Sequence, residues 1–144
     1  MKNFFSAAIG VIGGWVSSLL GGWSAGLTTL VIFMVIDYIT GLVVAGVFHN
    51  SPKSQSGALE SRAGLKGLFR KMVMLAFVLI AYRLDLAAGT SYIRDGACIA
   101  FIVNEVISIV ENAGLMGIPI PSIITKAIDL LNDKTGDKSD DVSS

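Results

Sequence analysis

The sequence has little charge, one cysteine and one histidine. Only 15% of its 144 residues are Asp, Glu, Lys or Arg, against about 25% in an ordinary soluble domain. A single Cys98 and a single His49 exclude a disulfide framework and a zinc site built from several Cys and His. There is no excess of positive charge, because 11 basic residues balance 11 acidic ones. That balance argues against a nucleic-acid-binding domain driven by cationic surface. Enzyme motifs are missing too: the chain has no Walker A pattern, no H-E-x-x-H and no G-x-S-x-G. One histidine at the edge of a loop cannot build a Ser-His-Asp or Cys-His arrangement without an improbable fold-back. The reading is therefore no enzyme, no catalytic residue, no cofactor and no metal.

What the chain does have is apolar sequence. Hydrophobic residues make up 53% of it, and its mean hydropathy is +0.70. A small soluble domain needs charge over a large surface, so the composition points to a membrane. The clearest apolar run is Ser24 to Phe48, with Asp37 near its middle. It is long enough for a hydrocarbon core of about 30 Å. A second run, Leu68 to Gly89, carries Arg83 and Asp85. A third, Tyr92 to Asn112, carries Arg94, Asp95, Glu105 and Glu111. Phe4 to Trp23 is a span, an interfacial helix or a signal peptide, and Trp23 at the −3 position argues against cleavage after Ala25. Gly10-x-x-x-Gly14 and Gly41-x-x-x-Ala45 have the spacing of close helix contacts.

A polar loop, His49 to Lys71, holds Lys53, Arg62, Lys66, Arg70 and Lys71 against the acid Glu60. Short basic loops stay in the cytoplasm, so this loop and the C-terminal tail are expected on that side. The two prolines of Gly117-Ile118-Pro119-Ile120-Pro121 stop any helix there. Ser122 to Leu131 reads as a short amphipathic helix, and Asp133 to Ser144 as a disordered polar tail. The expected architecture is an all-α integral membrane bundle. It has three to four transmembrane helices (about 4–23, 24–48, 68–89 and 92–112) and the short helix 122–131, within one membrane domain of residues 1–132.

The polar residues inside these spans carry the information, since a charge at the bilayer centre costs roughly 2.5–3.5 kcal/mol on insertion scales. On a helical wheel of about 100° per residue, Asn104, Ser108, Glu111, Arg94, Asn112 and Glu105 share an arc of about 120°. The opposite arc holds Ile99, Ile102, Val103, Val106, Ile109 and Val110, with Asp95 the exception. Two readings stay open. The stripe is interhelical glue, with Arg83 or Arg94 pairing Asp37, Asp85 or Glu105, or it lines an aqueous channel formed by several copies. Asp37 and Thr40 fit either reading.

In order along the chain, these motifs resemble a phage holin family that includes the toxin-secretion holins. The residues concerned are Asp37-Tyr38-Ile39-Thr40-Gly41, the segment from Ser61-Arg62-Ala63-Gly64 to Gly67-Leu68-Phe69-Arg70-Lys71, Asn104-Glu105-Val106-Ile107-Ser108-Ile109-Val110-Glu111-Asn112, and Gly117-Ile118-Pro119-Ile120-Pro121. The resemblance covers roughly Leu30 to Leu131. It implies a multi-pass protein of the bacterial host's cytoplasmic membrane that oligomerises into a lesion. The lesion releases or activates an endolysin for lysis, or serves toxin export. The implied partners are the lipid bilayer, further copies of the chain and an endolysin, with no nucleic acid. A small ion or solute transporter or channel, and an antiholin or other regulatory membrane partner, are the alternatives.

Overall fold

The computed structural model describes residues 1–50, 52 and 60–143, with side chains described as far as Lys134. Every regular element among the described residues is a helix: α1 (Lys2–Leu19), α2 (Ala25–Gly46), α3 (Ser61–Ala88), α4 (Ile93–Leu115) and α5 (Ser122–Ser143). Local chemistry sets the breaks. Gly21 and Gly22 both adopt left-handed backbone, at φ 86° and 88°, which glycine enters without a Cβ penalty. They turn the chain out of α1. Ser24 then caps α2, its hydroxyl accepting from the Leu27 N–H at 3.1 Å. Gly89, at φ 69°, ends α3, and the Pro119–Pro121 segment separates α4 from α5.

α4 is the central helix: α2, α3 and α5 all pack on it, and α2 also touches α3. The apolar core lies among α2, α3 and α4, with Leu27, Leu30, Met34, Met74, Val78, Cys98 and Ile102 buried together. α1 reaches the bundle through its last turn, where Ser17 and Leu20 are buried. Elsewhere α1 exposes large apolar side chains, among them Phe4, Phe5, Val11 and Trp15. Exposed apolar residues also coat the outside of α2 and α3. Water would not tolerate so much of this surface, and lipid would.

Two helices are long and apolar enough to cross a membrane, α2 with 22 residues and α4 with 23. The expectation of three to four spans is thus reduced to two clear ones. α1 is only 18 residues long and opens with Lys2 and Asn3. The apolar part of α3 carries Arg83 and Asp85. Two boundaries also differ. α3 starts at Ser61 rather than Leu68, so Arg62, Lys66, Arg70 and Lys71 stand on a helix and not in a loop. Leu, Arg, Lys and Ala are good helix formers, and their charge does not prevent a helix. α5 runs to Ser143, past the expected end at Leu131 and through the expected disordered tail. No proline interrupts it there.

Candidate functional site

The polar residues of α2, α3 and α4 meet in one buried cluster. Its centre is Lys71, whose Nζ lies 2.6 Å from Asp37 Oδ2 and 2.6 Å from Glu105 Oε2. One ammonium therefore ties all three helices together. Asp37 is 6% exposed and Glu105 2%, so water screens these charges little and the pairs are strong electrostatically. Asn112 completes the group. Its Nδ2 donates to Thr40 Oγ1 at 2.9 Å, to Asp37 Oδ1 at 3.2 Å and to the Asp37 carbonyl at 3.3 Å. Thr40 Oγ1 in turn donates to the same carbonyl at 3.0 Å. Gly41 lies beside Asn112: a Cβ there would stand 3.8 Å from Asn112 Nδ2, in ordinary contact. No buried side-chain N or O atom among the described residues lacks a partner, as an apolar surrounding demands.

The helix periods explain the meeting. Asp37, Thr40 and Gly41 follow each other at i, i+3 and i+4 on one face of α2. Glu105 and Asn112, seven residues apart, share a face of α4 in the same way. α3 meets that seam beside Tyr38, with Gly64 and Gly67 on its near face. A Cβ on Gly64 would sit 3.4 Å from the Tyr38 hydroxyl, and one on Gly67 would sit 3.9 Å from the Tyr38 ring. Tyr38, next to Asp37, thus packs on a flat patch of α3 one to two turns before Lys71.

A second polar group lies at the far end of α3. Asp85 accepts from the Ile93 N–H and the Arg94 N–H, both at 2.9 Å, and from Thr90 Oγ1 at 2.6 Å. It caps the first turn of α4 from the preceding helix and satisfies two of that turn's orphan donors. The Arg94 guanidinium reaches the other way, donating to the Leu20 carbonyl at 2.8 Å and the Gly22 carbonyl at 3.1 Å. It also lies over the Tyr82 ring, 5.9 Å from its centroid. Arg94 thus fastens the α1–α2 turn to the bundle.

These positions differ from the expected pairing. Lys71, not Arg83 or Arg94, meets Asp37 and Glu105, and Arg83 is exposed. The stripe on α4 divides: Glu105 and Asn112 are buried, Ser108 is half-buried, and Asn104 and Glu111 are exposed. Gly10 and Gly14 have open space around them, whereas Ala45 is buried. Arg62, Lys66 and Arg70 are exposed on α3, and Lys53 lies outside the described residues. Two features escaped the sequence reading: the role of Lys71, and the seat of Tyr38 on Gly64 and Gly67. The Gly64-x-x-Gly67 spacing just before an Arg-Lys pair was the available sign of both. Among the described residues, no group of His, Cys, Asp and Glu has the makings of a metal site.

The chain matches the model of the bacteriophage holin family over residues 14–133. An uncharacterized protein of Halalkalibacterium halodurans is 39% identical over 145 residues, covering 96% of this chain and 99% of its own length. A 14.9 kDa protein in the nagH 3' region of Clostridium perfringens is 34% identical over 134 residues, covering 92% of this chain and 96% of its own. A probable holin of Bacillus phage phi105 is 30% identical over 118 residues, covering 79% of this chain and 82% of its own. No solved structure matches. The matched region contains the whole Asp37–Lys71–Glu105–Asn112 cluster and both helices long enough to cross a membrane, and the chain is a membrane protein that belongs to the bacteriophage holin family.

Proposed function

We propose that this chain is a lesion-forming holin: it gathers in the bacterial cytoplasmic membrane, oligomerises, and opens a path that releases or activates an endolysin. The observation that carries this reading is the buried Lys71–Asp37–Glu105 bridge. Ionised groups inside spans are expensive, and where they occur they mark pathways or switches. In the closed protomer each carboxylate is held by Lys71, and Asp37 is held by Asn112 as well. The same groups gain nearly as much from water. A bundle that parts along the α2–α3–α4 seam therefore trades these pairs for hydration, provided that neighbouring copies supply an aqueous lumen. The exposed Asn104, near the middle of α4, favours association too, because lipid offers it no hydrogen bond. In this arrangement the basic start of α3 and the tail lie in the cytoplasm, the Gly89–Ser91 turn lies outside, and α3 crosses beside α2 and α4. No enzymatic step is involved, and export of a toxin would use the same opening.

Expression together with a cytoplasmic endolysin tests the proposal. Abrupt loss of membrane potential followed by lysis is the expected outcome. Continued growth with an intact potential, at high levels of the protein in the membrane, would overturn it.

A further inference from the structure

The first turns of α3 carry a surface that the lesion reading leaves unused. Arg62, Lys66 and Arg70 recur at every fourth residue and are all exposed. Such a spacing keeps three side chains within an arc of about 80°, spread over about 12 Å of the axis. Lys71, by contrast, points into the bundle, where it pairs with Asp37 and Glu105. The outward cations are interleaved with exposed apolar side chains: Leu65, Leu68, Phe69, Met72 and Val73. Below them Phe77, Ile80 and Leu84 continue the exposed apolar surface toward the end of the helix.

Such a mixture fits the boundary between water and hydrocarbon, with Arg62 outermost and Arg70 deepest. A helix surface bathed in water has no use for Leu65 and Phe69, and one in hydrocarbon has none for Arg62 and Lys66. At the depth where phosphates meet acyl chains, both are satisfied. Long cationic side chains lay their stems along apolar surface there and lift their heads to the phosphates. Their charge selects negative headgroups over zwitterionic ones. We infer that Arg62 and Lys66, on the first turns of α3, form a binding site for anionic phospholipid headgroups, with Leu65 and Phe69 seated among the adjoining acyl chains and Arg70, which lies deeper beside Lys71, extending its long side chain up toward the same phosphates. The inference rests on α3 lying in the membrane as proposed above, and not on lesion formation.

The test uses the full chain reconstituted in phosphatidylcholine vesicles. Trace spin-labelled phosphatidylglycerol or spin-labelled phosphatidylcholine reports the motionally restricted lipid. A surface cation near the headgroups is worth roughly a fivefold change in association. Wild-type protein should hold the phosphatidylglycerol probe at least fivefold over the phosphatidylcholine probe, and added sodium chloride should reduce the ratio. The variant R62Q/K66Q/R70Q should bring that ratio toward one with helicity unchanged, and K66Q alone should give an intermediate value. An equal hold on both probes by wild type, or an undiminished ratio in the triple variant, would overturn the inference. Displacement of the probe by excess inorganic phosphate would also overturn it, because the site would then be one for soluble anions. So would loss of chemically cross-linked oligomers by the triple variant in neutral vesicles, which would assign the face to another copy of the chain. Intact phosphatidylglycerol preference in protein that fails to lyse cells supports the inference and removes only the lesion reading.

Discussion

Lys71 has the most exacting place in the molecule, and its surroundings predict opposite outcomes for two substitutions. Lys71→Met leaves Asp37 and Glu105 facing each other with no cation between them. Removing one partner of a buried pair costs about 3–5 kcal/mol, so the protein should lose thermal stability in detergent. In cells it should trigger lysis earlier, or fail to accumulate, as timed culture density and membrane immunoblots would show. Glu105→Leu leaves Lys71 its bridge to Asp37 at 2.6 Å and puts apolar surface in the seam. The closed bundle is then favoured, and lysis should be delayed or abolished. Unchanged timing in both variants would mean that the cluster takes no part in opening. At this scale the sequence displays some members of the cluster and hides one. Asp37, Glu105 and Asn112 stand out because polar residues in an apolar run are conspicuous. Their cation did not, because Lys71 follows Arg70 in a charged stretch and nothing in a linear pattern tells which of two neighbours turns inward. That choice comes from how α3 packs on α4 and α2, a tertiary effect.

Elements join through few polar contacts, and each can be probed separately. Asp85 holds the first turn of α4 through two backbone N–H groups. Asp85→Ala should leave the rest of α4 intact and speed amide hydrogen exchange at Ile93 and Arg94, as mass spectrometry would resolve. Equal protection in both proteins would refute the capping role. At the other junction, a Cβ on Gly21 would stand 2.5 Å from two carbons of the Tyr82 ring and 2.8 Å from an Arg94 nitrogen, whereas Gly22 has open space. Both replacements by Ala bear a left-handed backbone cost of about 1–2 kcal/mol. Gly21→Ala must also displace the ring beneath Arg94. It should therefore release α1 to protease more readily than Gly22→Ala, and the reverse order would contradict this account of the turn. Helix α2 was legible as a long, nearly uninterrupted apolar run, and α4 as an apolar run with a polar stripe at helical spacing. The first turns of α3 were not, since polarity there resembles a loop although the residues favour a helix. α5 continues past Leu131 for the same reason: polar composition alone does not stop a helix.

For the whole molecule, helices in series fix relative sidedness once any one turn is placed. α2 leads to α3 through a longer connection before Ser61, α3 leads to α4 through the short turn Gly89–Tyr92, and Met116–Pro121 leads on to α5. If α2, α3 and α4 all cross, His49 and Lys134 lie on one side and Ser91 on the other. Positive charge then chooses the side: Arg62, Lys66 and Arg70 follow directly on the His49 connection, and such segments are retained in the cytoplasm. Single cysteines on a Cys98→Ala background test this directly. Cys98 is buried in the apolar core, and its replacement by Ala removes one sulfur atom and no hydrogen-bonded group, so the fold should tolerate it. Ser91→Cys should react with a membrane-impermeant maleimide in intact cells, and His49→Cys and Lys134→Cys only after permeabilisation. Asn3→Cys decides the fate of α1: protection in intact cells means that it spans, and reaction means that it lies on the outer surface. If His49→Cys and Ser91→Cys were to react from the same side, α3 would not cross. The basic face of α3 would then lie along the bilayer, and Lys71 could not bridge two crossing helices from within the membrane.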